Sequence, residues 1–425
     1  MTCRSAAVAL GIAAAVFTTA ASAQEPADLK VEPAQTPELT VEPAPTPELT
    51  VESVQTPERD NDTAAVGMVD KARRWAEDKR IAERLAPREG VYARFGGMVT
   101  GSGFALGAGY RKYLLGERIF TDVSAALSTK FYKAVDAKAR WAQFWDDRIE
   151  IWSDFRYRDY PEEDYFGPGV DSSRVNRINY AIESTDIVGR ALLKVTPWLT
   201  VGNDLGFFNP TIGPGQDDNL PSIEDIFGDG QAPALGELKQ PNFFHNTLFA
   251  EVDYRDHRGH TTRGGFYRAA FGTWEDITLE SYDHHRFDAE AAQFFPVAPR
   301  QAIGVRVGLS YVNNETGDRV PFYFLPYIGG SDTLRGFHEF RFRDENVLFV
   351  NAEYRIRVHR FVHVAPFVDA GEVRADWEDI GPSGLKTSYG IGVRAGTENR
   401  VFVRLDVGTG GGEGTRVFFK FGPSF

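Results

Sequence analysis

From residue 87 to residue 425, apolar and polar residues alternate with a period of two in one segment after another. In QAIGVRVGLSY, residues 301–311, Ile, Val, Val, Leu and Tyr fall on one face, and Gly, Arg, Gly and Ser fall on the other. NVLFVNAEYRIRV, residues 346–358, repeats the pattern with Asn, Glu and two Arg on its polar face. Alternation of this kind predicts β-strands with one apolar face and one wet face.

About sixteen such segments follow one another, and no window in this part of the chain predicts a helix. Many are nearer the ~9–11 residues of a tilted bilayer-spanning strand than the ~5–6 of a soluble sandwich. An even number of long strands with charges on one face predicts an all-β fold, a transmembrane antiparallel β-barrel of about 16 strands. The segments begin near Val91, Phe104, Phe120, Lys133, Arg148, Ile178, Trp198, Asn246, Thr262, Tyr282, Gln301, Arg343, Phe361, Leu385, Arg400 and Thr415.

The connections between these segments fall into two classes. VTPW at 195–198, DHRGH at 256–260 and VAPR at 297–300 are predicted as tight turns, whereas 159–175, 209–245 and 313–342 are long. GTGGGEG at 408–414 is predicted as the last outward loop. Long and tight connections alternate, as they do when one end of a barrel faces outside and the other faces the periplasm.

The first 86 residues differ from this pattern. Residues 1–23 combine a basic residue, an apolar run and a small-residue cleavage site, which predicts a signal peptide. Residues 24–62 carry a repeat rich in Pro, Glu and Thr, which predicts a disordered linker. Residues 63–86 predict one amphipathic helix, either packed against a folded domain or lying on a membrane surface. The barrel is then expected over 87–425.

Composition supports an exported membrane protein. The only cysteine is Cys3, so the mature chain is expected to hold no disulfide. The chain has 32 Phe, 16 Tyr and 7 Trp, many near predicted strand ends, as in interfacial aromatic girdles. Its net charge of −13 argues against nucleic-acid binding. We expect the outer membrane of a Gram-negative bacterium, with the N-terminus in the periplasm.

One long connection contains GGSDTLRGFHEFRF, residues 329–342, with an arginine inside an apolar stretch. Its Leu334-Arg335-Gly336-Phe337 resembles the sixth-loop signature of the BamA/TamA-like bacterial surface-antigen superfamily. The resemblance covers 87–425. It implies that loop six, residues 313–342, folds into the lumen, where its arginine meets carboxylates on the inner wall.

The chemistry of these residues leads to the same expectation of an arginine paired with carboxylates. An arginine in a confined lumen must be paired, because an unpaired buried charge is strongly destabilising. Glu353 and Asp369 are the candidate partners, since both fall on polar faces of the following strands. Phe367 to Gly371 matches the family's aromatic-x-acid-x-Gly motif on the thirteenth strand. Gly336 is expected to allow a sharp turn and Phe337 to wedge the loop; the alternative is that Arg335 is solvated outside the barrel.

The resemblance implies a role in inserting or translocating protein or lipid at the outer membrane. It also implies a member that lacks POTRA domains, whose functions elsewhere are not carried over. A weakened seam between the first and last strands is one hypothesis, and its candidates are Gly96, Gly97, Gly101 and Phe425; the alternative is that the glycines curve the first strand. Phe419, Phe421 and Phe425 are expected on one face of the last strand. A passive porin-like channel is the alternative function.

No catalytic motif is present, so an enzyme is not expected, and neither is a cofactor. His257, His260, His284 and His285 form two clusters, but without cysteine or a helical His pair they do not predict a metal site. Expected partners are outer-membrane lipid and lipopolysaccharide, and a separate periplasmic protein is a further candidate. We expect a monomer, with oligomers left open.

Overall fold

The computed structural model describes residues 88–96, 98–99, 101–226, 240–314, 318–396, 400–422 and 425. The predicted signal peptide (1–23), linker (24–62) and helix (63–86) lie outside the described residues, and so does Gly97.

The described chain forms an antiparallel sheet of sixteen strands in which neighbours along the chain are neighbours in space, apart from one short inserted pair. The predicted all-β barrel fold is therefore confirmed. The strands are β1 (Gly90–Gly96), β2 (Ala105–Leu114), β3 (Ile119–Ser128), β4 (Lys133–Phe144), β5 (Ile149–Tyr165), β6 (Ile178–Thr196), β7 (Leu199–Pro214), β8 (Phe243–Asp253), β9 (Gly264–Asp276), β10 (His284–Ala298), β11 (Gln301–Asn314), β12 (Tyr327–Ile328), β13 (Phe342–Arg343), β14 (Asn346–His359), β15 (Val362–Arg374), β16 (Lys386–Gly396), β17 (Val401–Gly410) and β18 (Thr415–Phe421).

The inserted pair is β12 and β13, which bond to each other inside loop six rather than to the large sheet. Helical structure in the described chain is restricted to short turns at Arg174–Asn176, Ile223–Ile226, Phe322–Phe324 and Trp377–Asp379. Among the described residues, none of the helices has the length and apolar character needed to span a membrane.

Period-two alternation gives the sheet an apolar outer face and a polar inner face. Large apolar side chains such as Leu106, Leu248 and Phe419 stay exposed on the outside. Inside, charged residues such as Arg394 and Asp406 are buried. This distribution is the reverse of that in a soluble β-sandwich, and it suits strands that have lipid on one side and a filled lumen on the other.

We call the end of the barrel with the long connections the loop end, and the end where β1 begins the turn end. At the loop end, β5 continues to Tyr165 and β7 continues to Pro214, so the predicted loops 159–175 and 209–245 are too long. The segment DYPEEDY, residues 159–165, was predicted as part of a loop. These residues still pair with β6, through an irregularity in register between Tyr160 and Glu163.

Two glycine segments were also assigned wrongly. β1 ends at Gly96, so Gly101 lies in the connection to β2 and not on a seam strand. β17 extends to Gly410, so only 411–414 remain of the predicted loop 408–414. In both cases, glycine content alone did not show where the ladder of hydrogen bonds stops.

The predicted tight turn DHRGH is wrong in a more consequential way. The connection between β8 and β9 is ten residues long, 254–263, and its tip contacts the start of β17. Its Asp, His, Arg and Gly residues are typical of an exposed turn, yet His260 and Thr261 are only 5% and 1% exposed. Their burial depends on strands that are distant in sequence, which a local pattern does not show.

Candidate functional site

Loop six occupies the lumen and is built as a compact unit. β12 and β13 bring its two arms together, and Gly329 and Gly330 turn the chain with φ of 120° and 85°, a region that favours glycine. The Thr333 hydroxyl donates to the Gly329 carbonyl oxygen (2.9 Å) and accepts from the Gly329 N–H (2.8 Å). These bonds hold 329–333 as a closed turn and present the next residues to the wall.

Arg335 makes the central contact of the site. Its Nε and Nη2 donate to the two oxygens of Asp369 at 3.0 and 2.6 Å, and its backbone N–H donates to Asp369 Oδ2 at 3.0 Å. Its Nη1 donates to Glu353. The guanidinium also lies 3.6 Å from the ring centroid of Phe367. A planar fork paired with two carboxylates and stacked on a ring satisfies a buried arginine on all sides.

The two carboxylates have further partners. Asn351 Nδ2 donates to Asp369 Oδ1 at 2.8 Å, and Ser388 Oγ lies 3.3 Å from Oδ2. Arg355 Nε and Arg394 Nη2 donate to the two oxygens of Glu353 at 3.0 and 2.9 Å. Asp369 therefore organises the loop and its wall, whereas Glu353 is shared among three arginines.

The charge network continues onto the last strands. Arg394 Nη1 donates to Asp406 Oδ1 at 2.6 Å, and Arg404 donates to Asp332 of loop six. Burial opposes ionisation of Asp332, but Arg404 and Lys420 outweigh it and hold the pKa of Asp332 below its usual value. Four buried arginines thus face three buried carboxylates and one exposed carboxylate, so the charges of these eight side chains balance. They are Arg335, Arg355, Arg394 and Arg404 against Glu353, Asp369, Asp406 and Asp332.

Apolar packing fixes the loop beside this network. Leu334 and Phe337 are fully buried and belong to one core cluster with Ile328, Phe342 and Phe349. The Phe337 and Phe342 rings lie 5.4 Å apart at 65°, an edge-to-face arrangement. Phe337 therefore packs as an anchor within the loop's own core and against the wall.

The chain turns at Gly336 as predicted, since the Phe337 N–H donates to the Leu334 carbonyl oxygen at 3.1 Å, but the φ of Gly336 is not positive and the turn itself does not require glycine. A Cβ at this position would lie 2.5 Å from the Thr409 carbonyl carbon and 2.6 Å from the Gly410 nitrogen. Gly336 thus lets the loop backbone lie directly against β17. Gly408 does the same from the other side, since a Cβ there would lie 2.3 Å from the Arg335 carbonyl oxygen.

The thirteenth barrel strand, β15, carries the rest of the predicted motif. Phe367 lies under Arg335, and a Cβ at Gly371 would lie 3.0 Å from Phe349 Cβ and 3.1 Å from Ile328 Cδ1. Sequence reasoning missed Arg355, Arg394, Arg404 and Asp406 as members of the site. Their inward facing can be inferred from alternation, but their pairing depends on which strands are neighbours.

Loop six is also tied to other long connections. Arg341 donates to Glu413 Oε1 (2.7 Å) in the last connection, and to the hydroxyl (3.0 Å) and carbonyl (2.8 Å) oxygens of Ser172 between β5 and β6. Gly169 donates its N–H to the Arg343 carbonyl oxygen at 2.8 Å. The loop end of the lumen is therefore closed by three connections that brace each other.

The two edges of the sheet, β1 and β18, make no ladder with each other in the described chain. They approach each other at Gly96, where a Cβ would lie 3.1 Å from the Phe421 ring. Gly96 is at the loop end of β1, whereas Phe421 is at the turn end of β18. The bodies of the two strands therefore run away from the contact in opposite directions.

Phe425 does not lie on this seam. Its ring is 5.8 Å from the ring of Phe294 on β10, and the Arg355 guanidinium lies 5.0 Å from its centroid. The predicted shared face with Phe419 and Phe421 fails because β18 ends at Phe421. Phe425 instead fills space inside the lumen.

The histidine clusters lie at opposite ends of the barrel. His284 stacks on Trp274 at the loop end, and His260 packs on His363 at the turn end. Within the described parts of the chain, no three His, Cys, Asp or Glu side chains are grouped as metal ligands would be.

A profile of the Omp85 superfamily domain matches residues 223–424, which include loop six, both carboxylates and the last strands. These residues are therefore similar to an Omp85 superfamily domain. Barrels of this superfamily are bacterial outer-membrane proteins, and the resemblance to BamA/TamA-like barrels is confirmed. No curated protein matches the chain.

Two solved structures show the same fold. BamA from Haemophilus ducreyi, in a form lacking POTRA domains 1–3, superposes with a TM-score of 0.58 at 16% identity, covering 79% of this chain and 70% of that one. CdiB from Escherichia coli superposes with a TM-score of 0.52 at 11% identity, covering 77% of this chain and 61% of that one. At these identities, the likeness extends to the fold alone.

Proposed function

We propose that this Omp85 superfamily barrel takes part in inserting or translocating protein or lipid clients at the outer membrane, with its N-terminus in the periplasm. The observation that carries the proposal is the seam. The edge strands β1 and β18 have seven residues each, against 17 and 19 in β5 and β6, and no backbone ladder joins them in the described chain.

An incompletely paired seam leaves backbone N–H and C=O groups without ladder partners. Such groups are destabilising within a bilayer, and an edge strand is a template for an incoming strand. A client β-strand could bind there by adding to the sheet. The occupied lumen supports the same function, since a barrel filled by its own loop works better as a scaffold than as a wide aqueous channel.

A cysteine pair across the seam tests this proposal. Gly96→Cys with Phe421→Cys, in a Cys3→Ser background, links β1 to β18 when it is oxidised. In proteoliposomes, the wild-type protein should accelerate folding of an unfolded eight-stranded outer-membrane protein, measured by heat-modifiable gel mobility. The oxidised pair should lose this acceleration and regain it after reduction. Recovery on reduction separates the lock from strain at Gly96, whose φ is 132°.

Thr409→Cys with Thr415→Cys is the matched control, because these residues already face each other in the β17–β18 ladder. Oxidising that pair should leave client folding unchanged. If the seam lock has no effect on an active protein, the seam is not the insertion site. If the wild-type protein shows no acceleration but a large steady conductance in planar bilayers, the passive channel replaces the proposed function.

A further inference from the structure

The connection between β8 and β9, residues 254–263, which we call the strap, crosses the turn end of the lumen. Gly259 accepts a hydrogen bond from the Val401 N–H at 2.9 Å, and Gly259 and Arg400 form a parallel bridge. Between β9 and β17 the sheet runs through β10, β11, β14, β15 and β16. A contact that skips these five strands places the strap across the mouth of the barrel.

The strap has a defined internal structure. The Asp256 carboxylate accepts from the N–H groups of His257 and Thr262 at 2.8 and 3.0 Å. The Thr261 hydroxyl donates to the His257 carbonyl oxygen at 2.9 Å. One side chain therefore satisfies the N–H groups of the turn, as aspartate commonly does.

The tip of the strap is buried against the inner wall. The ring of His260 lies 4.1 Å from the ring of His363 on β15, and the Thr261 carbonyl oxygen accepts from Arg355 Nη1 at 3.0 Å. A cavity of about 290 Å³ lies beneath, lined in part by Ala302, Arg355 and His363. Asp256, His257, His260 and Thr262 of the strap form the other side of this cavity.

Arg355 connects the strap to loop six. Its Nε donates to Glu353 Oε2 at 3.0 Å, while Arg335 donates to the other oxygen of Glu353. Buried arginine donors that lose an acceptor are destabilising, so Arg355 favours the state in which both ends are in place. We propose that the strap is a second closure of the lumen, and that Arg355 couples it to the loop-six anchor.

Access to the cavity tests the proposal. Ala302→Cys in a Cys3→Ser background puts a thiol at a position that is 1% exposed and lies under the strap. A charged, membrane-impermeant thiol reagent is added to the full chain in liposomes. Replacing residues 257–262 with Asn-Gly removes the tip and leaves a two-residue hairpin turn between the paired Asp256 and Arg263. Labelling should become faster by about tenfold or more, since a charged hydrogen bond and the burial of the tip are lost.

Two further variants make the result decisive. Asp256→Ala removes the organising carboxylate without shortening the chain, and should also speed labelling if the excised variant does not fold. Arg335→Lys perturbs the loop-six anchor at a distance from the strap, and should raise the labelling rate by a smaller factor through Glu353 and Arg355. Glu117→Cys, with a side chain 57% exposed at the β2–β3 turn, should label at one rate in every background.

Equal labelling of Ala302→Cys with and without the tip would overturn the closure. Faster labelling after excision of the strap tip, with no change for Arg335→Lys, would overturn the coupling to loop six. The closure by the strap would still stand. Neither result depends on client insertion, so failure here is distinguishable from failure of the proposed function.

Discussion

At the scale of the residue, Asp369 makes more of the hydrogen bonds that hold Arg335 than Glu353 does. It accepts two side-chain bonds and one backbone bond from Arg335, and its neighbours Asn351 and Ser388 complete its shell. If Arg335 is removed, Glu353 still accepts hydrogen bonds from Arg355 and Arg394. The acidic residue of β15 should therefore be the more sensitive of the two.

Asp369→Asn tests this ranking. The amide keeps the shape of the carboxylate but leaves a buried arginine short of one negative charge, which typically costs about 3–5 kcal/mol. The free energy of unfolding, from urea titration in detergent micelles followed by gel mobility, should fall by that order. Asp159→Asn is the control, because its pair with the half-exposed Lys133 should be worth at most about 1 kcal/mol.

Equal losses for Asp159→Asn and Asp369→Asn would contradict the ranking. The double swap Arg335→Glu with Asp369→Arg should recover little stability. An arginine at 369 offers no acceptor to the N–H of residue 335 or to Asn351, so reversing one ion pair does not restore the local bonds.

Much of this site could be predicted from individual residues, and the reason is physical. Alternation places Glu353 and Asp369 on inward faces, and a loop arginine in an apolar stretch requires carboxylate partners. The role of Gly336 could not be predicted in the same way. It depends on the closeness of β17, and only the neighbouring backbone shows that no Cβ fits there.

At the scale of the element, strand number and order follow from the alternation, whereas the connections do not. Charged residues extend β5 beyond its predicted end because a polar strand end still pairs when it lies beside β6. Residues 256–260 were predicted as a tight turn, but they belong to a ten-residue connection whose tip is buried. Composition reports the solvent preference of a segment, whereas its burial is decided by strands that are distant in sequence.

The strap should respond to acid. Burial, together with the nearby His363 and Arg355, lowers the pKa of His260 to about 3, from 6.5 for the free side chain. The lowered pKa means that the closed strap is stable when His260 is neutral. Its closure is therefore fully stable above about pH 6.5 and weakens as the pH falls toward 3. The groups that face His260 are Asp256, His257, Arg355, Arg357 and His363, together with Arg300 and Arg400 at the neighbouring turns.

Labelling of Ala302→Cys with a pyridyl disulfide, which reacts in acid, should therefore rise relative to Glu117→Cys as the pH falls. The expected limit is about tenfold per pH unit below pH ~6, the slope for uptake of one proton. His260→Gln should flatten the profile. A ratio that stays constant between pH 7 and pH 4 in the parent protein would show that the strap does not open when His260 is protonated.

At the scale of the whole molecule, the lumen is closed twice. Loop six and its braces occupy the loop end, and the strap crosses the turn end. Arg355 bonds the strap directly and is linked to Arg335 of loop six through Glu353. The acidic and basic side chains of the inner wall hold these two closures in place, which explains why a barrel wide enough for a water-filled pore has a buried and nearly charge-balanced interior.

Two closures in series predict an unusual pattern of conductance. The resistance of a pore is the sum of the resistances along it, so opening one end leaves the other in control. In planar bilayers at neutral pH, the tip-excised strap alone and Asp369→Asn alone should each raise the single-channel conductance only slightly. The two changes together should raise it by much more than the sum of the separate effects.

The Asp159→Asn variant combined with the excised strap is the control, and it should conduct like the excised strap alone. If either single change gives the full conductance, the two elements do not close one path in series. If the wild-type protein already conducts steadily, neither element closes the lumen. A synergistic increase would mean that loop six and the strap must both leave the lumen before ions pass. A client that does not pass through the lumen would then have to use the seam between β1 and β18.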